Sequence, residues 1–520
     1  MSESTVAIVG SGIVGTTLAY LLTRRGHDVV VFEKGPEYPY PHIKQFREQT
    51  LYAYRDPAYL VPADVKNLTV SGDYWANVDS ERGMFVGGTA THWGAVTPRM
   101  IPPDFDTKSR YGYGTDWPLS YDELEPYYAA AEWLLGVSGT DADNPFAPRR
   151  SRPRPLPPFE LSYDDGILAQ RLRRHGIVLH TTPQARTRHP FEQRPGCMNF
   201  GMCATCPIGA RYSPNYHLLQ AVGTGRCKVL ANTSVRRILA GPRGRASAVV
   251  YRPHGGAADR EHAAKVIIIA AGAIESARLL LLSSRDRHPD GVALSAEAGR
   301  HLTFHHLWQG ALHYREAFRP GSVGAATGMC HQFLDAPSRG THGAIHVDFS
   351  SHPPVAIPPH LEEKTGPAVV DAYRHVRHWR VISLIGETVP TARKYVTLAK
   401  GRDRFGDPFA HVQYESADFD VATHGFARRI FDQFAAATGA DDADLPPVGG
   451  YFSAGHHLGT CRMGTDERDS VVDRLGRVHG SPNLFVAGGS TFPGAGAVHP
   501  TLTMVALTIR AARYIGDQLL

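Results

Sequence analysis

Thr5-Val6-Ala7-Ile8-Val9-Gly10-Ser11-Gly12-Ile13-Val14-Gly15 is the stretch on which the fold turns. Its first five residues are almost wholly apolar, as in a strand buried within a parallel sheet. Ile13, Leu18, Leu21 and Leu22 then lay an apolar stripe along a helix that ends near Arg25-Gly26, and a second strand, Asp28 to Phe32, delivers Glu33. Strand, three glycines, helix, strand and acid stand in the order of the dinucleotide fingerprint. Gly10 allows the tight turn, and Gly12 lets backbone N–H groups reach a pyrophosphate at the helix N-terminus. Ile13, Val14 and Gly15 complete the cradle, and Glu33 accepts from ribose hydroxyls. The motif predicts an adenine dinucleotide and by itself leaves FAD and NAD open.

The rest of the composition sets bounds. A chain of 520 residues accommodates two or three domains, or one large two-lobed enzyme. The formal charge of +5 is small and its basic residues are scattered, so no nucleic-acid partner is expected. No run of eighteen apolar residues exists, which predicts no membrane span. Met1-Ser2-Glu3-Ser4 enters a strand without a basic or apolar leader, so a cytoplasmic location is expected.

The other end carries the chemistry. Gly455-His456-His457-Leu458-Gly459-Thr460-Cys461-Arg462-Met463-Gly464 is followed by Asn483 to Ser490 and by His499-Pro500-Thr501-Leu502-Thr503. His456 and His499 sit beside glycine-rich turns on either side of a short apolar strand. Imidazole exchanges a proton near neutral pH, so such a pair suits removal of a hydroxyl proton. With 27 histidines in the chain, position rather than content carries that reading.

Between the ends, Arg82 to Gly94 forms a second glycine-rich turn, Gly87-Gly88-Thr89, followed by Thr91-His92-Trp93. Ser120 and Glu123 predict a helix with a capping box, and the proline- and arginine-rich stretch from Asn144 to Pro158 reads as an exposed connection. Cys197, Cys203 and Cys206 fall within ten residues. They read as reduced or redox-sensitive thiols, as ligands of an iron–sulfur cluster, or as a zinc site completed by His189 or His217; no other metal ligands are assigned. Strands are expected near 228–232, 235–239 and 248–251. Val266 to Ala271 is a buried strand whose turn at Gly272 and Ala273 lets backbone lie against a cofactor. From His301 to Pro390 polar and apolar residues alternate, which predicts an antiparallel sheet with one solvent or ligand face. There His305, His306, Trp308, His346 and Glu387 are available to a ligand without being assignable.

These motifs together resemble the glucose–methanol–choline (GMC) family of flavoprotein alcohol oxidoreductases. The resemblance rests on the N-terminal fingerprint, the Gly87-Gly88-Thr89 loop, the Ala271-Gly272 turn, His456-x-x-Gly459-Thr460 and His499-Pro500-Thr501, with 43 residues between the two histidines. It implies an α/β fold: a Rossmann-type FAD-binding domain over residues 1–300, with inserted loops at about 101–225, resumed over 446–520, and a mainly antiparallel substrate domain over 301–445. It further implies that Val235, Ala271, Gly272, Gly489, Pro500 and Thr501 join the residues around FAD. Thr91-His92-Trp93 is similar to pyranose oxidases, which implies a covalent bond from His92 to the flavin. His499 departs from that narrower pattern, which has Asn there.

The implied reaction has His456 taking the hydroxyl proton while the carbon-bound hydrogen leaves as hydride to flavin N5, and His499 orienting the alcohol. The implied substrate is a sugar or glycoside oxidised at C2 or C3, with electrons passed to oxygen or another acceptor. The alternative is an FAD/iron–sulfur sugar dehydrogenase delivering electrons to a quinone or cytochrome partner. A homo-oligomer or a small partner subunit fits either. A flavin-binding redox sensor built on the thiols is the rival outside alcohol chemistry.

Overall fold

The computed structural model describes residues 2–44, 67–73, 81–200, 203, 205–319, 326–350 and 365–520. The N-terminal motif forms as its sequence predicts. Ser2–Val9, Val29–Phe32 and Arg260–Ile269 lie side by side in parallel, with Ile8 paired to both Val31 and Ile268. Cys227–Leu230 extends this sheet beyond Val29–Phe32, and Leu484–Val486 joins Arg260–Ile269, again in parallel. Ala246–Pro253 and Thr233–Ala240 close the other edge as antiparallel strands. Val6, Ala7, Ile8, Val31 and Ile267 to Ile269 are fully buried, which explains why these strands read as unbroken apolar runs.

Helix Ile13–Thr23 packs against this sheet between Pro214–Gly223 and Thr501–Gln518. Helix Tyr121–Leu135 packs on Thr501–Gln518 and opens with the expected reciprocal cap of Ser120 and Glu123. The sheet's consequence for function is geometric. Val9, Phe32, Ile269 and Val486 all end at one edge, so the turns after them converge where ligands bind in open α/β sheets.

The second sheet runs Asp442–Asp444, His306–His313, Trp379–Gly386, Ile345–Ser350, Ala326–Cys330, His180–Thr181, antiparallel throughout. The expected strands are there. Helix Asp418–Thr438 packs on one face, Phe434 against Phe349, and His346 and Asp348 of the same strand turn to the other, toward His499. A third sheet of Tyr395–Arg402, Pro408–Tyr414 and Leu68–Gly72 lies outside what the sequence pattern revealed.

The Asn144–Pro158 connection has neither helix nor strand, yet it is pinned and not free. Arg150 and Arg154 reach Glu132 and Asp141, and Arg99 is held by Glu132 at 2.8 Å and Glu125 at 2.9 Å with its side chain 1% exposed. Removing one partner of such a buried pair costs about 3–5 kcal/mol. Among the described residues no helix is long and apolar enough to cross a membrane.

Candidate active site

Three helices begin at the convergent edge without a side-chain cap: Ile13–Thr23 after Gly12, Gly272–Leu282 after Ala271, and Thr501–Gln518 after Pro500. Their first-turn N–H groups are therefore donors without a capping acceptor, aided by the helix dipoles. The glycines divide by what surrounds them. A Cβ on Gly10 would lie 2.5 Å from the Ala270 carbonyl oxygen and one on Gly15 1.9 Å from that of Gly10, so both serve chain packing. A Cβ on Gly12 or Gly272 would meet no protein atom within 4 Å, so these two have room for a ligand. Ser490 Oγ is buried at the Gly489 turn with no protein partner. Donors, open glycines and an unpartnered hydroxyl fit a pyrophosphate-bearing cofactor.

Ser11 ties this cradle together. Its Oγ donates to Glu33 Oε2 at 2.7 Å and accepts from the N–H of Gly87 at 3.2 Å. Glu33 also accepts from the N–H of Gly35 at 2.9 Å, which fixes its carboxylate at the end of its strand. The Gly87-Gly88 loop thereby lies on the first turn of the fingerprint, with a Gly88 Cβ only 3.0 Å from Gly12 Cα. Thr89 is exposed at this turn, its hydroxyl accepting from Gly83 N–H. Val235 sits beside a bulge in its strand, half-buried.

His92 ends the turn Gly88–Thr91 with its Nδ1 buried and unpartnered. Burial and the Arg211 guanidinium lower its pKa to about 4, which keeps the imidazole neutral and nucleophilic. Arg211 grips the loop through the carbonyls of Thr91 and, at 2.8 Å, Trp93.

His456 and His499 come together with ring centroids 5.1 Å apart. Backbone bonds on two sides place His456: Leu458 pairs with Thr303, and Gly459 and Cys461 donate to Gly489 and Ser490. His499 directly precedes the last helix, whose start is held by a 2.7 Å bond between Tyr128 and Thr503. Both rings are partly exposed, whereas His305 and His346 beside them are buried. His305 Nε2 donates to the Ala495 carbonyl at 3.2 Å, so its Nδ1 accepts from His456 Nδ1 at 2.9 Å. That leaves His456 Nε2 as the unprotonated, acceptor nitrogen.

On the far side, His346 Nε2 donates to Asp348 Oδ1 at 2.7 Å, and Asp348 Oδ2 lies 3.6 Å from His499 Nε2. Burial drives His456 well below the ordinary histidine pKa, reinforced by His305 and His499. Burial also lowers His499, to about 4, against the Asp348 carboxylate, which favours its charged form. Burial opposes ionisation of Asp348, but His346 and His499 outweigh it and hold the carboxyl below its usual value. Two neutral imidazoles, one with a free acceptor nitrogen and one backed by a carboxylate, can accept a proton and orient a hydroxyl.

Of the five residues left unassigned, His305 and His346 belong to this centre. The other three do not. His306 stacks on Tyr451 at 3.7 Å and bonds Tyr414, Trp308 is fully buried, and Glu387 is bound by Tyr113, Arg339 and Ala344 N–H. Asp348 and the Ala495 carbonyl were not singled out from sequence, although His346 and Asp348 at i and i+2 share one strand face.

Cys197, Cys203 and Cys206 are partly exposed: Cys203 accepts from Arg186, and Cys197 N–H donates to the Thr187 carbonyl. Among the described residues their sulfurs are not gathered within 4.8 Å of one another. One zinc ion, with bonds of about 2.3 Å, holds thiolates closer than that. Of the fourth ligands expected for zinc, His217 is bound to Tyr212 through Nδ1 at 2.8 Å with its Nε2 unpartnered, and His189 is exposed.

Comparison with known proteins agrees with this geometry. An N-terminal GMC oxidoreductase profile matches residues 171–307, a C-terminal one matches 390–508, and an FAD dependent oxidoreductase profile matches 5–42. The fructose dehydrogenase large subunit of Gluconobacter japonicus is 31% identical over 99% of this chain and 98% of its own. The chain belongs to the GMC oxidoreductase family. Within it, a 2-methyl-1,2-propanediol dehydrogenase of Mycolicibacterium austroafricanum is 30% identical over 99% of this chain and 95% of its own. A C-glycoside 3-oxidase of Microbacterium trichothecenolyticum is 27% identical over 99% and 96%. The crystal structure of pyridoxine 4-oxidase from Mesorbium loti shares the fold, with a TM-score of 0.66 at 20% identity over 98% of both chains. As a GMC oxidoreductase the chain is an FAD-dependent enzyme of alcohol or sugar substrates. The Gly12 and Gly272 turns and Glu33 are the residues that would hold FAD, which would supply the hydride acceptor.

Proposed function

We propose that this GMC oxidoreductase oxidises a secondary hydroxyl of a sugar or glycoside, at C2 or C3, to a ketone. FAD supplies the hydride acceptor. His456 Nε2 takes the hydroxyl proton, and His499 hydrogen-bonds the same oxygen and fixes the alcohol's orientation. The observation that carries the assignment is the 2.9 Å His305–His456 bond, which leaves an acceptor nitrogen on the ring beside His499. The relatives named for fructose, gluconate and C-glycosides support a sugar as the alcohol. The neutral His92, with one nitrogen unpartnered, supports covalent attachment of the flavin, which acid precipitation followed by a visible spectrum of the pellet tests. In His456→Ala, turnover is expected to fall about 10²–10⁴-fold with flavin still bound. Near-normal turnover would defeat the assignment.

A second reading concerns the acceptor. Fructose dehydrogenase is named a large subunit, and Cys203 here accepts from Arg186, whose backbone bridges to the Arg211 that grips the His92 loop. Three thiols within ten residues support an iron–sulfur cluster. Electrons then pass to a partner and not to oxygen. Iron and acid-labile sulfide assays separate the two acceptors.

A further inference from the structure

The candidate catalytic pair is one end of a longer file of imidazoles. From His456 to His499 the ring centroids are 5.1 Å apart, from His499 to His346 5.4 Å, from His346 to His331 5.0 Å, and from His331 to His180 4.5 Å. His180 and His346 lie on strands either side of Ala326–Cys330, and His331 directly follows that strand, because Met329 pairs with His180 and Cys330 with Val347. The file therefore runs across the antiparallel sheet. All three are buried.

Each ring beyond His456 has one nitrogen engaged and one unpartnered. His180 Nδ1 donates to the Thr181 carbonyl, His331 Nδ1 faces the Asn144 amide, and Asp348 lies beside His346 Nε2 and His499 Nε2. His180 Nε2, His331 Nε2, His346 Nδ1 and His499 Nδ1 are buried without a protein partner. A buried polar atom left unpaired costs about 1–3 kcal/mol, so four successive ones are not what packing alone selects. At the far end the Thr181 N–H donates to Asp143 at 2.8 Å; Asp143 is partly exposed and favours the charged form of His180.

We propose that His346, His331 and His180 form a proton path from the catalytic pair toward the partly exposed Asp143. The inference rests on the alcohol-oxidising reading. Oxidation of one hydroxyl breaks its C–H bond, sending hydrogen and both electrons to the flavin as hydride, and breaks its O–H bond, leaving one proton on His456. That proton must leave His456 before the next turnover. Asp348 stands midway and offsets the positive charge as it passes, and single waters or ring rotations bridge the unpartnered nitrogens.

The test is anaerobic stopped-flow mixing of the flavoprotein with D-fructose or methyl β-D-glucopyranoside in weak buffer containing a pH-indicator dye. In the wild type one proton per flavin appears in step with bleaching. In His331→Phe, and separately in His180→Gln, proton appearance is expected to lag bleaching by roughly tenfold or more, and added imidazole closes the lag. Release in step with bleaching in both variants overturns the path while leaving the oxidation standing. A wild-type flavin that neither sugar bleaches overturns the oxidation, and the path with it.

Discussion

His305 Nδ1 and His456 Nδ1 lie 2.9 Å apart, and only one proton fits between them. Because the Ala495 carbonyl takes the other proton of His305, the shared one belongs to His456, and the free lone pair of His456 falls on Nε2. His305 thus sets the tautomer of the proposed base. His305→Phe keeps a planar ring and removes that constraint. Its turnover is expected to fall at least about tenfold, or ~1.4 kcal/mol of barrier, with flavin content unchanged. Unchanged turnover in a flavin-replete variant would show that the bond does nothing for the reaction.

Asp348 acts on the other histidine. Burial lowers the His499 pKa to about 4 and Asp348 opposes that shift. A protonated His499 puts positive charge beside His456 and opposes its uptake of the hydroxyl proton, so turnover should be level across neutral pH and fall as pH approaches 4. Asp348→Asn removes the charge that favours the imidazolium. The acid limb should move to lower pH, and turnover at neutral pH should drop about 10–10²-fold as developing positive charge loses its counter-ion. An acid limb that moves upward would contradict the role given to Asp348.

Two glycines of the fingerprint should answer differently to one added methyl group. Gly12 has a φ of −64°, and its Cβ would meet no protein atom, so Gly12→Ala should fold and lose flavin. Gly15→Ala drives a Cβ to 1.9 Å from the Gly10 carbonyl oxygen, so it should lower the melting temperature by several degrees, on the order of 1–3 kcal/mol. Flavin absorbance per protein and thermal melts of both variants separate the two effects. Full flavin in Gly12→Ala would remove the case for ligand approach there.

What the sequence made legible was local. The strand, glycine turn, helix and acid between residues 5 and 33 lie consecutively, and the capping box of Ser120 and Glu123 spans three residues. The candidate site was half legible, since motif spacing singled out His456 and His499 while their partners come from distant strands. His305 is 151 residues from His456, and neither strand pattern nor composition reports such a contact. Asp348 carried a signal that went unread: an acid two residues from a histidine in an apolar strand. The same holds for helix Asp418–Thr438, where Ala427, Ile430, Phe431 and Phe434 keep helical spacing on the buried face. The covered sheet face followed from that helix, and alternation alone could not show it.

The decisive experiment is an anaerobic visible spectrum of the purified protein before and after addition of a panel of sugars and glycosides. Bleaching of the flavin bands by one of them, with a ketone recovered as product, is the predicted result, and admitting air then reports whether oxygen reoxidises the flavin. Flavin bands unchanged by every sugar in the panel would leave the fold intact and contradict sugar oxidation.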